Sequence, residues 1–293
     1  MKIDVVIATY NRAKQIEETI NNVLQFEHDI NKIFIINNNS KDNTREVLEK
    51  FNSNPKIDIT NSDENLGAPG GKNIGLKKSQ ADIIIVIDDD AIFFTEDPIN
   101  EVKRIFRNDN SLGIIQFKIV NFQEKRIQKY EFPGDNPEKD GNKEFYIGYF
   151  IGAGHAIKKH TLEEIGYYPD EFFYAHEEID LSYKAINGNY TIKYCPIVGV
   201  YHKKDSGGRL PRKEVLKSMY KNRLVMSYKY LPFKYSLISN LLWFLKTLKD
   251  SKSIIIPLKA ISEFLKSKNS LVKNTLSENA IEYIKKYNGR LYR

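Results

Sequence analysis

The chain has 293 residues, of which 41% are hydrophobic and 28% are charged, a composition typical of folded globular proteins. Wholesale disorder, a collagen-like repeat and a disulfide scaffold are excluded, the last because Cys195 is the only cysteine. The net charge of +7 is uneven, since residues 203–293 carry 21 Lys and Arg against 6 Asp and Glu while the remainder is acidic.

Short β-branched runs alternate with helix-like stretches from the N-terminus onward. Strands are predicted over residues 3–8, 33–36, 57–59 and 83–87, with helices over 13–26 and from residue 43. The run 83–87 is apolar on both faces, as expected for a central strand covered by helices. The pattern predicts a doubly wound α/β fold: a Rossmann-like, mostly parallel sheet flanked by helices.

The regular alternation loosens after about residue 110. A surface loop is predicted over residues 132–142 and a further strand over 190–200. Beyond them, residues 211–293 are predicted to form a basic amphipathic helical extension of a larger domain at 1–210. Its helices are expected at 212–230 and 235–268, interrupted by Pro232 and Pro257.

The extension also bears on where the protein acts. No apolar run reaches the roughly 18 to 20 residues of a membrane-spanning helix, so the extension is expected at most to lie on a membrane surface. A single cysteine and the absence of a signal-peptide pattern predict the reducing cytoplasm, with peripheral attachment to the inner face of the cell membrane left open. The basic charge indicates an anionic partner, and a solvated lysine-rich helical face is the alternative. The apolar stripe of the extension is expected either to lie on a membrane or to pack against the catalytic domain or a second subunit.

Polar side chains follow three of the predicted strands. They are Thr9, Asn11 and Arg12 after the first strand, Asn37 and Asn39 after the second, and Asp88, Asp89 and Asp90 after the run 83–87. Ligands of open α/β sheets bind at the carboxyl ends of strands. In an extended chain Asp88 and Asp90 share a side, where they suit Mg²⁺ or Mn²⁺, although acidic residues in loops are common without a metal.

A glycine-rich segment at residues 65–75 is predicted to form a turn that leads into a helix. Its residues Asn65, Gly71, Lys72 and Asn73 suit a diphosphate, because glycine permits close backbone approach and a helix N-terminus favours an anion. A glycine needed only for backbone turning is the alternative.

Glu177 and Glu178 begin a predicted helix, and His202 follows the predicted strand at 190–200. Acidic residues in a first helical turn are favoured by the helix dipole, so capping explains at least one of them, while the other is a candidate general base. His202 is positioned to complete a metal site or to be an ordinary surface residue.

In their order and spacing these clusters resemble the inverting family-2 glycosyltransferases of the GT-A fold, over residues 1–202. The resemblance implies a nucleotide-sugar half at about 1–110 and an acceptor half at about 111–210. It assigns Asp90, Asp88 and His202 to a divalent metal, Mn²⁺ or Mg²⁺, and Glu178 to the role of general base, with Glu177 as the alternative. The nucleotide-sugar residues would be Thr9, Asn11, Arg12, Asn37, Asn39, Asn65, Gly71, Lys72, Asn73, Asp88 and Asp89.

The family usually has Asp where this chain has Asn37, which leaves the base preference open. The implied reaction is inverting transfer from a UDP- or dTDP-sugar to a saccharide or lipid-linked glycan in cell-surface polysaccharide synthesis. The extension is similar to the C-terminal segments of rhamnosyltransferase-like members. A sugar nucleotidyltransferase and a non-catalytic, membrane-recruited binding protein are the alternatives, and nucleic acid is not an expected partner. The oligomeric state, donor sugar and linkage are not predicted.

Overall fold

The computed structural model describes residues 1–204, 207 and 210–292. Strands and helices alternate through the N-terminal half, and each predicted strand there lies within two residues of its predicted bounds. The elements are β1 (Ile3–Thr9), α1 (Ala13–Leu24), β2 (Lys32–Asn37), α2 (Thr44–Glu49), β3 (Ile57–Asn61), α3 (Gly67–Lys78), β4 (Ile83–Ile87), β5 (Ala91–Phe93) and α4 (Pro98–Asn108).

The second half completes the sheet and adds the helical extension. Its elements are β6 (Leu112–Asn121), α5 (Pro137–Asp140), β7 (Phe145–Tyr146), β8 (Gly154–Lys158), α6 (Lys159–Ile165), α7 (Glu177–Asn187), β9 (Thr191–His202), α8 (Arg212–Tyr230), α9 (Phe233–Ser251), α10 (Ile255–Ser267) and α11 (Glu278–Lys286).

The strands form one sheet in the order β3-β2-β1-β4-β8-β6-β9-β5, with β7 paired to β9. The first four strands are mutually parallel, and β8 runs antiparallel between β4 and β6. The carboxyl ends of β1, β2 and β4 therefore share one edge of the sheet. At the far edge β5 pairs antiparallel with β9, which sets Ala91 opposite His202. The predicted α/β class with a Rossmann-like sheet is confirmed.

Two apolar cores lie on opposite faces of the sheet, because alternate side chains of a strand point to opposite sides. Val5 and Ile7 of β1 belong to one core, and Val6 belongs to the other. The second core also contains Met226 of α8 and Ile284 of α11. The helices after residue 210 thus complete the packing of the sheet, and the division of the chain at residue 210 stays a prediction.

One local prediction is wrong, and another holds only in part. The stretch 132–142 is exposed over most of its middle, as a surface loop should be, but it contains the short helix α5. Phe132 at its start is buried, and its ring lies 5.4 Å from that of Tyr194. The helical region after residue 233 breaks at 252–254 rather than at Pro257. Pro257 lies in the first turn of α10, where a helix needs no N–H donor, and Lys252 takes the left-handed conformation that ends α9.

No helix within the described ranges is both long and apolar enough to cross a membrane. The apolar stripe of α9 nonetheless faces outward. Leu237, Leu241 and Leu245 are 60%, 58% and 50% exposed.

Candidate active site

A cleft of about 1030 Å³ opens at the carboxyl ends of the parallel strands. Eleven of the predicted site residues line it. They are Thr9, Asn11, Arg12, Asn65, Lys72, Asp88, Asp89, Asp90, Glu177, Glu178 and His202. Side chains separated by nearly two hundred residues of sequence therefore face one cavity, as the strand-end rule leads one to expect.

Asp88, Asp90 and His202 form a cluster whose potential ligand atoms all lie within 4.8 Å of one another. The antiparallel pairing of β5 with β9 creates this cluster, since it carries His202 back to the end of β4. His202 Nε2 lies 3.2 Å from Asp90 Oδ1. Two carboxylates and an imidazole are a donor set suited to Mn²⁺ or Mg²⁺, so the residues present fit a divalent cation.

Glu131 supports His202 from behind. Its Oε1 contacts His202 Nδ1, and its Oε2 lies 2.8 Å from Lys204 Nζ. Burial lowers the pKa of His202, but hydrogen bonds to Asp90 and Glu131 outweigh burial and raise that pKa to about 9. A carboxylate behind a ligating histidine fixes its ring orientation and tautomer. Glu131 was not predicted from sequence, because it is 71 residues away from His202 and outside every recognised motif.

Arg12 bridges the acidic strand end. Its Nη1 lies 2.6 Å from Asp89 Oδ1 and 3.2 Å from Asp90 Oδ2. Burial lowers the pKa of Arg12, but Asp89 and Asp90 more than offset this and raise it. Burial raises the pKa of Asp89 to about 6, although Arg12 opposes the increase. Asp89 therefore pairs with a protein cation, while Asp88 and Asp90 face the cluster with His202.

Lys72 is buried in α3 and places its Nζ 2.9 Å from Asp88 Oδ1. Burial lowers the pKa of Lys72, but Asp88 more than compensates and raises it. The Lys72 ammonium group beside Asp88 favours binding of a negatively charged ligand in this part of the cleft.

The glycine-rich segment differs from its prediction, because α3 begins at Gly67 and Gly71 is already helical. A Cβ on Gly71 would lie 3.3 Å from Ala8 Cβ, so this glycine lets α3 pack closely on β1. Asn73 points away from the cleft and hydrogen bonds to Tyr168 O and Asp170 Oδ1. Gly71 and Asn73 hold α3 in place and are not among the residues that line the cavity.

Asn37 and Asn39 also lie outside the cavity lining. Asn37 is buried and donates to Asn61 Oδ1 at 2.8 Å, and its own Oδ1 accepts from the Ser40 amide. Asn39 has φ 64° and accepts from Lys41 Nζ. The residue between them does line the cleft: Asn38 donates to Asn65 Oδ1 and to Gly67 O and accepts from the Leu66 amide. Asn38, which was not among the predicted site residues, shapes the turn before α3.

Glu177 and Glu178 begin α7 and also line the cleft. Burial and the negative charge of Glu178 raise the pKa of Glu177 to about 8, and its buried Oε2 has no hydrogen-bond partner within the described ranges. Burial also raises the pKa of Glu178, although Lys72 opposes this increase. Glu178 lies against Gly152, where a Cβ would approach Glu178 Oε1 to 2.0 Å.

The backbone before these carboxylates is held in an unusual conformation. Ala175 and His176 both have φ 71°, in the left-handed region that costs about 1 kcal/mol or more for such residues. Asn222 of α8 donates to the carbonyls of Tyr174 and Ala175. Trp243 of α9 packs edge-on against His176, with ring centroids 4.9 Å apart. The C-terminal helices therefore position the turn that starts α7.

The fold is that of a GT-A glycosyltransferase, and the predicted GT-A fold is confirmed by its structural neighbours. The chain belongs to glycosyl transferase family 2, whose family model matches residues 4–166. It is 27% identical over 201 residues to the poly-beta-1,6-N-acetyl-D-glucosamine synthase of Staphylococcus aureus (strain COL). That alignment covers 67% of this chain and 48% of the synthase, so the chain spans about half the length of this relative.

Two solved structures share the fold. TarS 1–349 of S. aureus, in complex with UDP-GlcNAc, has a TM-score of 0.60 at 16% identity, covering 100% of this chain and 82% of the TarS 1–349 chain. The mannosyltransferase PcManGT of Pyrobaculum calidifontis, in complex with GDP-Man and Mn²⁺, has a TM-score of 0.56 at 17% identity, covering 97% of this chain and 74% of PcManGT. The family and these neighbours favour a glycosyltransferase over a nucleotidyltransferase or a non-catalytic binding protein.

Proposed function

We propose that the protein transfers a sugar from a nucleoside diphosphate to a hydroxyl group of a saccharide or lipid-linked glycan, with inversion at the anomeric carbon. One observation carries the proposal: a possible metal cluster and two adjacent carboxylates, the buried Glu177 and the half-buried Glu178, face the same cleft. A transferase needs both, because charge grows on the departing diphosphate while the acceptor hydroxyl loses a proton.

Asp88, Asp90 and His202 would hold the divalent cation, Mn²⁺ or Mg²⁺, in this proposal. When bound, that cation would neutralise the charge that develops on the nucleoside diphosphate. Glu131 orients His202 for this role, and Arg12 holds Asp89 aside. The Mn²⁺ in the PcManGT complex supports a divalent cation in a protein of this fold.

Glu178 accepts the acceptor's proton as the acceptor oxygen attacks the anomeric carbon. The bond between that carbon and the diphosphate oxygen breaks, its electron pair leaves with the diphosphate, and a single in-line displacement inverts the configuration. Glu178 suits the base role better than Glu177, because Lys72 has the largest charge effect on Glu178 and favours its charged form. Glu177 is also near Lys72, but the negative charge of Glu178 acts on it more strongly and favours its protonated form. The raised pKa of Glu177 keeps that neighbour protonated at neutral pH, so it can donate a hydrogen bond to the acceptor.

The donor is a UDP- or dTDP-sugar. The UDP-GlcNAc in the TarS complex and the N-acetylglucosamine polymer named for the S. aureus synthase support a uridine nucleotide. Thr9, Asn11 and Arg12 would contact the base and ribose at the end of β1. The buried Asn37 amide already uses one N–H and one oxygen lone pair, so a base at Asn37 would have only its second N–H and second lone pair to bind.

The reaction belongs to cell-surface polysaccharide synthesis at the inner face of the membrane. The name of the synthase supports the product class, and the basic extension supports attachment to an anionic surface.

Thermal-shift and calorimetric titrations with UDP-, dTDP- and GDP-sugars, each with Mn²⁺, Mg²⁺ or EDTA, test the donor without an acceptor. Ligand binding raises the melting temperature by mass action. Metal-dependent stabilisation by a UDP- or dTDP-sugar is expected. Asp90→Asn should weaken it, whereas Asp63→Asn, at an exposed position, should not.

The base is tested separately. Glu178→Gln should abolish transfer while donor binding stays intact, and Glu163→Gln at an exposed position is the matched control. Normal transfer by Glu178→Gln would show that the base is elsewhere. The absence of stabilisation by every nucleotide sugar would overturn the donor proposal.

A further inference from the structure

The outer face of α9 carries large apolar side chains that no described residue covers. Six of them are 39–82% exposed and together form what we call the docking face: Phe233, Leu237, Ile238, Leu241, Leu242 and Leu245. Apolar patches of this kind on a monomer mark a surface that binds another partner. The adjoining helix α10 extends it with Ile255 and Leu258, which are 57% and 52% exposed.

The orientation of α9 is fixed by its opposite side. Ser239, Trp243 and Thr247 are buried and recur every four residues, so they form one inward-facing stripe. Leu237, Leu241 and Leu245 recur with the same period on the other side of the helix. Turning α9 so that these leucines pack against the protein would expose Trp243 and break its contact with His176, so the leucines stay on the outer side.

Basic residues surround the docking face. Lys234, Lys249 and Lys252 are exposed on α9 or at its end. The nearby acidic groups are neutralised, since Asp250 pairs with Lys246 and Glu263 pairs with Lys217. Leucines beside lysines, on a helix that lies flat on the molecule, are the pattern of helices that sit in the interface of an anionic bilayer.

We propose that the docking face binds an anionic phospholipid bilayer directly and orients the enzyme on it. A second copy of the chain fits less well, because a symmetric contact through α9 would bring the lysines of both copies together. A bilayer supplies hydrocarbon for the leucines and phosphate for the lysines at once. This inference extends the proposed function by giving a lipid-linked acceptor a place to bind. It rests on the proposed function only in assuming that acceptor.

The docking face lies close to the part of the cleft that holds Glu177 and Glu178. Trp243 on the inner side of α9 contacts His176, which immediately precedes Glu177 and Glu178. An α-helix with its side chains is about 10 Å wide, so α9 alone separates the turn at His176 from a docked bilayer. An acceptor anchored by its lipid in that bilayer thus needs only a short span to reach the cleft.

Vesicle co-sedimentation of the full chain tests the proposal. The vesicles are phosphatidylglycerol mixed with phosphatidylcholine, or phosphatidylcholine alone, at low and high salt. We expect binding to the anionic vesicles that weakens with salt. Leu237→Ser, Leu241→Ser and Leu245→Ser combined should lower the partition coefficient at least about tenfold, as should Lys234→Gln, Lys249→Gln and Lys252→Gln combined.

Matched controls lie outside the docking face. They are Ile197→Ser, at an apolar side chain that is 43% exposed, and Lys2→Gln, Lys77→Gln and Lys139→Gln combined, at exposed lysines. Both should bind vesicles like the unchanged chain. Thermal shift with a nucleotide sugar and Mn²⁺ checks that each variant keeps its cleft.

Three results would overturn the docking proposal: no binding of the unchanged chain to anionic vesicles at low salt, equal binding by the leucine variant, or a dimer in light scattering that the leucine variant converts to monomer. Vesicle binding without sugar transfer from any donor would instead refute the proposed function and leave the docking face standing.

Discussion

Gly152 offers a test of the candidate base that leaves the base itself in place. A Cβ at this position would lie 2.0 Å from Glu178 Oε1. Carbon and oxygen do not approach much closer than about 3 Å, so Gly152→Ala has to displace the carboxylate by about 1 Å. A misplacement of this size in a catalytic group costs on the order of 100-fold in rate, equivalent to about 2.7 kcal/mol of transition-state stabilisation.

The stability cost of Gly152→Ala should be small. The clashing atom is the end of a flexible side chain, so Glu178 can rotate away for about 1 kcal/mol. We therefore expect kcat for nucleotide release with acceptor to fall about 100-fold while the melting temperature and donor affinity change little. Gly188→Ala is the control, because Gly188 ends the same helix with φ −83° and its Cβ would lie 3.0 Å from Ile165 Cγ2.

A double variant sharpens the Gly152 test. Glu178→Asp shortens the side chain by one methylene and withdraws the carboxylate from Gly152. The same Gly152→Ala change should then cost far less in the Glu178→Asp background, which a double-mutant cycle measures directly. Full activity of Gly152→Ala would refute the reasoning, and a loss of donor binding would show that the cleft itself had been distorted.

Three further predictions concern the same cleft. Glu131→Gln should lower Mn²⁺ affinity about 10- to 100-fold by calorimetry, because His202 loses the carboxylate that orients it; unchanged affinity would refute that role. The raised pKa of Glu177, about 8 against an ordinary 4.5, favours its protonated form in the folded state, so the stability that it contributes is present below pH 4.5 and is lost as pH rises through about 8. Between these pH values the melting temperature should fall more steeply with rising pH for the unchanged chain than for Glu177→Gln. An equal pH dependence of the two melting temperatures would contradict the raised pKa of Glu177. Gly67→Ala should destabilise the fold by about 1 to 3 kcal/mol in urea unfolding, because Gly67 has φ +74° and its Cβ would meet the rigid Phe173 carbonyl at 2.0 Å; unchanged stability would show that the turn can rearrange.

The parallel half of the sheet was predictable because β1, β2 and β4 are largely buried on both faces and are mostly apolar in sequence. Ile83–Ile87 is the clearest case, and the observed β4 has the predicted bounds. The acidic cluster followed from that strand, since the residue after a buried strand emerges at the sheet edge. His202 was found for the same reason at the end of β9.

Side-chain direction was not predictable where the chain leaves a strand. Asn37, Asn38 and Asn39 are equally polar in sequence, yet of the three only Asn38 lines the cleft. The turn geometry decides this, and it depends on contacts with Asn61 and Asn65 from distant segments. Glu131 could not be predicted for a related reason. The sheet brings His202 to it, and no local sequence pattern at either residue indicates their contact.

The buried guanidinium of Arg223 makes the end of the chain part of the enzyme's architecture. Arg223 is completely buried and donates to Ser239 Oγ and to the carbonyls of Arg290 and Leu291. Truncation of the chain to the segment that the family model matches would remove the helices that contact the start of α7. Truncation of only the last few residues would leave the buried Arg223 guanidinium without its carbonyl partners, which should lower the free energy of unfolding by about 3 to 5 kcal/mol. We therefore expect the family segment and the C-terminal helices to unfold together.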